Sequence, residues 1–397
     1  MQKDISQNQK RIISIDLLRG LVMVIMALDH VRDYFHAGAF LYNPLDLDKT
    51  NTVLFFTRWL THFCAPVFMF LAGSSAFLTG QKKTKKELSV FLLKRGLWLI
   101  FIELVIANFG WNFAITFPAI LFIVIWALGI SMIVLAALIH LPVKMIFLIG
   151  IILVGCHNLL DDIHVEGNNL PAFGWSLLHE MNFFHWQTRL LFVGYPVLPW
   201  IGVMALGYCL GNLYAPTYGT DKRKKTLLLI GSSAIGLFIL LRLINLYGDS
   251  FHWSQQKSTF FTFLSFINTS KYPPSLLYIL MTLGPAVLFL AFTERANSAV
   301  AKFISVYGRV PMFYYLVHIY LIHLTAMLFS ELFTTLDWRT WILNKPLWFN
   351  DELKGYGFSL GIVYLVWLSI VIGLYPLCKW YDRYKQTHKE KWWLSYL

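Results

Sequence analysis

Charged side chains are scarce in this sequence, and long apolar runs take their place. Only 14% of its 397 residues are Asp, Glu, Lys or Arg, whereas 57% are hydrophobic and the mean hydropathy is +0.59. Soluble globular chains carry about 25% charged residues. The composition therefore excludes an ordinary soluble enzyme and predicts a polytopic membrane protein.

Motifs of several common chemistries are missing. The four cysteines lie in apolar stretches without CxxC or zinc-type spacing, so we interpret them as small core residues. There is no phosphate-binding Walker loop, no GxSxG nucleophile elbow and no GxGxxG after a strand. Histidines do not occur in HxxxH or HExxH spacing on one helix, and we expect no metal site.

Apolar stretches of about 20 residues can cross a bilayer, and the chain has about ten of them. They comprise residues 13–35, 53–79, 88–108, 115–139, 142–160, 195–214, 226–247, 274–293, 309–333 and 358–380. Basic residues cluster before the first stretch (Lys3, Lys10, Arg11), after the even-numbered stretches and in the C-terminal tail. All of them fall on one side if both termini are cytoplasmic. We expect an all-α polytopic membrane protein, and the net charge of +12 reflects this sidedness rather than nucleic-acid binding.

The first apolar stretch carries ionisable residues along one helical face. Asp16, Arg19 and His30 share that face at 100° per residue, and Asp29 is the only obvious polar neighbour of His30. Ionisable groups inside a membrane are costly, so by default they face a protein interior or a wet cavity and indicate function. For Asp16 and Arg19 an alternative is a structural ion pair between positions i and i+3.

Further polar residues are predicted at the outer half of other spans. Arg58 and His62 share a face of the second span, as do Tyr314 and His318 in the ninth, while Lys271 and Tyr272 precede the eighth. Each buried histidine also has an ordinary explanation as a side chain bonded to a neighbour. Imidazoles from spans one, two, five and nine at a similar depth nevertheless favour a shared cavity.

Six blocks of sequence resemble the catalytic domain of the heparan-alpha-glucosaminide N-acetyltransferase family, especially its bacterial branch of unknown function. The blocks are RIISIDLLRG (11–20), APVFMFLAGSS (65–75), YPVLPWIGVMALGY (195–208), RLINLYGD (242–249), NTSKYPPSLLYILMTLGP (268–285) and GRVPMFYYLVHIYLIH (308–323). The resemblance covers about residues 11–325. It implies one transmembrane acyltransferase domain over 1–397, in which 326–397 form the last outer loop, the final helix and a basic tail.

The resemblance also implies which residues act. Arg19 and His30 match the motif of an arginine, ten residues and a histidine in the broader transmembrane acyltransferase superfamily, where the histidine is catalytic. The catalytic histidine of the named family falls nearest to His36. We therefore expect His30 or His36 to be catalytic and group Asp29 with them.

Acetyl-CoA is the donor that the resemblance implies. With a cytoplasmic N-terminus, Asp16, Arg19 and Arg309 lie on the inner side, where cations could bind the CoA phosphates. Arg58, His62, Lys271, Tyr272, Tyr314 and His318 are then the candidates for the acceptor cavity.

The implied reaction moves an acetyl group from cytoplasmic acetyl-CoA to a sugar amine or hydroxyl on the far side of a membrane, which we expect to be the bacterial inner membrane. The acceptor would be a glycan or a lipid-linked sugar of the cell envelope, and a homodimer is left open. The alternative is a transporter or exporter of a glycan or another polar solute. The proline and glycine sites do not pair between two halves of the chain as in an inverted-repeat transporter.

Overall fold

A computed structural model describes residues 12–391 and residue 394, so the predicted inner cations Lys3, Lys10 and Arg11 lie outside the described residues. The α-helices are α1 (Ile13–Phe35), α2 (Thr52–Thr61), α3 (Cys64–Gly80), α4 (Lys85–Phe101), α5 (Asn108–Asn112), α6 (Val124–Leu138), α7 (Val143–Cys156), α8 (Leu170–Leu178), α9 (Leu198–Gly211), α10 (Thr220–Ile244), α11 (Thr259–Ile267), α12 (Leu276–Phe292), α13 (Ala299–Arg309), α14 (Pro311–Phe333) and α15 (Leu360–Thr387). A π-helical segment (Ile102–Ala107) joins α4 to α5. Short 3₁₀ segments are His157–Leu160, Asn212–Tyr214, Trp338–Trp341, Leu347–Phe349 and Asp351–Leu353.

Five helical segments are long and apolar enough to cross a membrane. They are Thr52–Gly80, which combines α2 and α3, Val143–Leu160, Thr220–Ile244, Pro311–Phe333 and Leu360–Thr387. α1 is as long as α14 but carries five charged side chains. The mostly helical, apolar fold confirms the prediction of an integral membrane protein, while the count of ten spans and the side of each terminus stay predictions.

Several predicted spans differ in form from one straight helix. The stretch 88–108 continues through the π-helical segment into α5. In 115–139 the helix begins only at Val124, because Phe117 adopts a left-handed conformation (φ 49°) and residues 119–122 are extended. The stretch 195–214 contains the 14-residue α9 followed by a 3₁₀ turn.

A small sheet was not predicted by the all-α interpretation. Its strands are β1 (Ala119–Phe122), β2 (Asn182–Trp186) and β3 (Arg189–Val193), in the order β1-β3-β2. β1 pairs with β3 in parallel, Ala119 opposite Leu190, and β2 pairs with β3 as a hairpin, Asn182 opposite Val193. Their aromatic and branched residues suit strands. Residues 174–194 therefore contain the end of α8 and the β2–β3 hairpin.

α1 lies at the centre of the fold. Of its 23 residues, 18 are buried, and it packs against α2, α3, α12, α13, α14 and α15. Gly20 and Gly308 allow α1 and α13 to cross with almost no separation. A Cβ at Gly20 would lie 2.0 Å from the Ile304 carbonyl oxygen, and one at Gly308 would lie 1.9 Å from that of Asp16. The helix with the ionisable face is therefore enclosed by other helices of the protein.

Candidate active site

His30 of α1 and His318 of α14 form a hydrogen-bonded pair in the protein interior. His30 Nδ1 lies 2.8 Å from His318 Nε2, and the two ring planes differ by 3° with centroids 5.0 Å apart. This is the geometry of two coplanar imidazoles joined edge to edge. His318 is fully buried, whereas His30 keeps 9% of its surface exposed, so the reachable atoms of the pair belong to His30.

The partners of the two rings assign their protons. His318 Nδ1 lies 2.7 Å from the carbonyl oxygen of Tyr314, which can only accept a hydrogen bond. In neutral His318 the proton is therefore on Nδ1, and Nε2 accepts. His30 must then donate from Nδ1, which leaves the lone pair of its Nε2 free. The network orients His30 with the nitrogen that a general base or nucleophile needs.

Two aromatic residues hold the His30 ring edge-on. Its centroid is 5.0 Å from that of Trp111 and 6.1 Å from that of Tyr315, at interplanar angles of 76° and 72°. Trp111 Nε1 donates a hydrogen bond of 3.3 Å to the Tyr315 hydroxyl. Sequence reasoning missed both residues. Tyr315 precedes His318 by three residues and so shares its face, but nothing local to Trp111 relates it to α1.

A cavity of about 270 Å³ approaches the histidine pair from the end of α1 that carries Arg19. Met23 and Met26 line it from α1, and Met312 and Tyr315 line it from α14. Met26 and Tyr315 stand about one helical turn before His30 and His318 in sequence. The cavity is mostly apolar, and it ends at Met26 and at Tyr315, whose ring centroid lies 6.1 Å from that of His30.

Cations line the same cavity near its other end. Arg19, Arg95, Arg309 and Lys385 come from α1, α4, α13 and α15. Arg19 donates to the Gly308 carbonyl at 3.1 Å and to Ser75 Oγ at 2.8 Å, and it lies 3.7 Å from the Asp16 carboxylate. Arg309 pairs with Asp382 at 2.7 Å. The structure thus brings together the predicted donor residues Asp16, Arg19 and Arg309, and adds Arg95 and Lys385.

A network of ion pairs lies beside His30 on the C-terminal part of α1. Asp29 accepts from Arg58 at 2.5 and 2.7 Å and from Arg32 at 2.8 Å. Arg32 also donates to Asp33 at 2.6 Å. These side chains are largely buried, which makes each charge depend on its partner. Asp29 is therefore held by two guanidinium groups rather than bonded to a histidine ring.

The cluster around these ion pairs also contains Lys271, Tyr272 and His62. The Lys271 ammonium lies 5.2 Å from the centre of the Tyr272 ring, and Lys271 and Arg58 are both close enough to His30 and His62 to interact with them electrostatically. His62 is fully buried at the end of α2. Arg58 is the fourth predicted acceptor residue in this cluster, and all four thus meet next to His30.

The remaining two candidates have other surroundings. The Tyr314 ring packs on His318 and on Tyr307, at 4.8 and 4.9 Å, and supports the pair from the inner side. His36 follows α1 and accepts from the Gly38 N–H through Nδ1, at 3.1 Å. Burial, with a smaller contribution from Arg32, lowers the pKa of His36. Its catalytic role stays a prediction.

Not every outer histidine joins the cluster. The two nitrogens of His157 lie 3.0 and 2.8 Å from the carbonyl oxygens of Val154 and Pro274, and those of His323 lie 2.9 and 2.8 Å from the carbonyl oxygens of Gly110 and Trp341. Each ring, when neutral, donates its single N–H to one of these oxygens and so binds the backbone rather than the cluster. Of the spans expected to supply converging imidazoles, the first, second and ninth supply His30, His62 and His318.

Comparison with known proteins identifies the family of the chain. The sequence profile of the family described as "Heparan-alpha-glucosaminide N-acetyltransferase, catalytic" matches residues 11–242, which is more than half of the chain. No curated protein matches the sequence significantly. The matched region contains α1, with Arg19 and His30, as well as Arg58 and His62, whereas Lys271 and His318 lie beyond it. The chain belongs to the heparan-alpha-glucosaminide N-acetyltransferase catalytic-domain family, a family of membrane acetyltransferases.

Proposed function

We propose that the protein transfers the acetyl group of cytoplasmic acetyl-CoA to a sugar amine or hydroxyl on the extracytoplasmic side of the membrane. The observation that carries the proposal is the position of the His30–His318 pair. It stands between a cation-lined apolar cavity and a charged, aromatic cluster. One side suits a thioester arm with phosphates at its end, and the other suits a polar acceptor.

The donor half of the site follows from the spacing along α1. Arg19 and His30 are 11 residues apart, or about 16 Å at 1.5 Å per residue. An extended pantetheine arm can span that distance, with its phosphates near Arg19 and Arg309 and its thioester near His30. The apolar lining excludes water from the arm, which protects the thioester from hydrolysis.

The chemical step uses the free Nε2 lone pair of His30. As the acceptor nitrogen or oxygen attacks the thioester carbonyl, His30 takes its proton, and the C–S bond then breaks. The proton passes from His30 to the departing CoA thiolate. His318 Nε2 accepts the hydrogen bond from His30 Nδ1–H throughout. This bond orients the His30 ring and stabilises its imidazolium form. In the variant of this route that forms an acyl-histidine, His30 Nε2 itself attacks the carbonyl and the C–S bond breaks to release CoA thiolate. The acceptor or water then attacks the acetyl group, the bond from Nε2 breaks, and His30 passes the proton it receives to the thiolate.

The sidedness of the reaction rests on loop charges. With both termini cytoplasmic, the basic loops face inward and the cavity opens to the compartment that contains CoA. The location in a bacterial inner membrane and the ten spans belong to the same proposal. Cysteine labelling at Lys82 and Lys224, expected inside, and at Glu166, expected outside, tests the topology in intact and permeabilised cells.

Acetyl-CoA binding and slow hydrolysis by the purified protein in detergent test the activity. Wild type should bind acetyl-CoA saturably and hydrolyse it, because water can replace the acceptor. His30→Ala should bind but lose hydrolysis, while His36→Ala should retain it. If the reverse holds, His36 is the catalytic residue. A folded wild-type protein that binds no acetyl-CoA would refute the acetyltransferase and favour transport assays.

A further inference from the structure

The cluster beside His30 contains more positive than negative charge. Asp29 and Asp33 are its two carboxylates, and Arg32, Arg58 and Lys271 are its three cations. Both carboxylates are already bound by guanidinium groups at 2.8 Å or less. Among residues 12–391 and 394, no carboxylate oxygen lies within 4 Å of the Lys271 ammonium, so its charge lacks a direct ion-pair partner.

Lys271 is placed there by a rigid loop. Asp249 accepts from the Ser270 N–H at 3.0 Å and from the Ser275 hydroxyl at 2.9 Å, and Ser275 N–H donates to the Ser270 carbonyl at 3.1 Å. A backbone bridge also joins Lys271 to Pro274. Only 9% of Lys271 is exposed. The chain thus holds a cation at a desolvated position, where an unpaired charge is costly.

His62 adds unused hydrogen-bonding capacity at the same place. Both of its ring nitrogens are buried, and within the described part of the chain neither has a hydrogen-bond partner. Its electrostatic neighbours include Arg58 and Lys271. Buried polar atoms are normally bonded, so orphaned nitrogens next to an unpaired cation point to a missing partner.

The partner must be able to reach the cluster from solvent. Asp29, His30 and Lys271 keep 8%, 9% and 9% of their surface, whereas Arg32 and His62 keep 2% or less. The reachable edge of the cluster therefore combines the Lys271 ammonium with His30. A ligand that pairs with Lys271 lies next to the catalytic imidazole.

We infer that Lys271 forms a subsite for an oxyanion carried by the acceptor, either a carboxylate or a phosphate. The inference rests on the proposed acetyl transfer and adds the acceptor's chemical class. An anionic group here neutralises Lys271, accepts a hydrogen bond from its ammonium, and presents a neighbouring hydroxyl or amine to His30. A neutral sugar would leave the Lys271 charge unmatched.

Inhibition of acetyl-CoA hydrolysis provides the test, because it needs no known acceptor. Methyl glucuronide supplies the carboxylate, glucose 1-phosphate the phosphate, and methyl glucoside is the neutral control. In wild type at least one anionic sugar should inhibit at concentrations about tenfold or more below methyl glucoside, and noncompetitively with acetyl-CoA. The stronger of the two identifies the source of the oxyanion.

Substitutions then locate the effect. Lys271→Met should abolish the preference for the anionic sugar, measured within the variant as the ratio of the inhibition constants of the neutral and anionic sugars. Lys271→Arg should keep the preference, and Lys345→Met, which removes an exposed lysine of the loop after α14, should change nothing.

Two results would overturn the subsite. One is equal inhibition by neutral and anionic sugars in wild type, which needs no variant to fold. The other is a loss of acetyl-CoA hydrolysis in Lys271→Met while the preference for the anionic sugar remains, which would assign Lys271 to the reacting carbonyl. Failure of the proposed function looks different, because wild type would then neither bind nor hydrolyse acetyl-CoA.

Discussion

The imidazole rings of His30 and His318 share one plane and one hydrogen bond, 2.8 Å from Nδ1 to Nε2, although 288 residues separate them in the chain. The pair couples the helix with the acyltransferase motif to a helix outside the matched family region. Its second anchor, the Tyr314 carbonyl, is backbone and cannot be lost by substitution of that residue. We therefore propose that His318 positions His30, so that its effect should appear through His30.

Replacing His318 by Gln should lower kcat for acetyl-CoA hydrolysis by about 10²-fold with little change in KM, because His30 loses an oriented acceptor for its Nδ1 proton. The pH–rate profile should also shift, since the basicity of His30 depends on that bond. Kinetics of the purified variant between pH 5 and 9 check both effects. His164→Gln, at an exposed ring, is the matched control. An unchanged profile with a raised KM would assign His318 to binding.

Substitution of Arg19 by Gln should raise the KM for acetyl-CoA by about tenfold, the cost of a charge-assisted hydrogen bond to phosphate. Acetyl-pantetheine, which lacks the nucleotide and its phosphates, should be used equally well by the variant and wild type. The ratio of kcat/KM for the two donors is the measurement. Lys144→Gln, at an exposed lysine in the first turn of α7, should leave the ratio unaltered. A similar loss for both donors would instead mean a structural role.

Breaking the Asp29–Arg58 pair should destabilise the protein strongly. Asp29→Asn or Arg58→Met alone should lower the free energy of unfolding by about 3 kcal/mol, because the first leaves the buried Arg58 without its carboxylate and the second leaves Asp29 with Arg32 alone. The double variant should lose less than the sum of the two. Unfolding in detergent monitors the cycle, and Lys354→Met, which breaks an exposed pair with Asp351, should cost less than about 1 kcal/mol. Additive losses would contradict the coupling.

The close crossing of α1 and α13 should not tolerate a methyl group. Gly20→Ala should cost about 3 kcal/mol, because the new Cβ would overlap the Ile304 carbonyl oxygen and force the helices apart. Gly236→Ala is the control, since a Cβ there meets nothing within 4 Å and alanine favours a helix. Thermal unfolding of the two variants in detergent compares them. Equal midpoints would show that the crossing can relax.

The stability of the segment after α7 should depend on an ionised Asp161. Burial acts to raise the pKa of Asp161, but hydrogen bonds from His179 Nε2 (3.0 Å) and Asn158 Nδ2 (2.8 Å) outweigh it and lower the pKa overall. Because the pKa of Asp161 is lower in the folded state, its carboxylate stabilises the folded protein at pH values above the unfolded pKa of about 4. This contribution to stability disappears as the pH falls through the folded pKa.

Asp161→Asn should therefore reduce stability by about 1 kcal/mol at pH 6. The difference from wild type should shrink as the pH falls below about 4 and should vanish once the pH is below the folded pKa of Asp161. Unfolding midpoints across this pH range measure it, and Asp162→Asn, next in the sequence, serves as the control. A difference that persists at low pH would mean that the carboxylate charge is not the cause.

Much of this protein could be predicted from the sequence because its signals are local. Long apolar runs require helices in a membrane, and the 3.6-residue period aligns Asp16, Arg19 and His30 before any tertiary contact is known. Six ordered blocks were enough for the family. Helix interruptions were harder, because the left-handed turn at Phe117 and the pairing of β1 with β3 depend on residues about 70 positions apart.

Tertiary structure alone decided which polar groups meet. Periodicity places His318 and Tyr315 on one face of α14, but only packing brings His318 to His30, Trp111 to the Tyr315 hydroxyl, and Arg58 to Asp29. The same packing diverts His157 and His323 to backbone carbonyls. The sequence determines which face of each helix must be shielded from lipid. The partner of each buried charge is decided only by the packing of the assembled bundle.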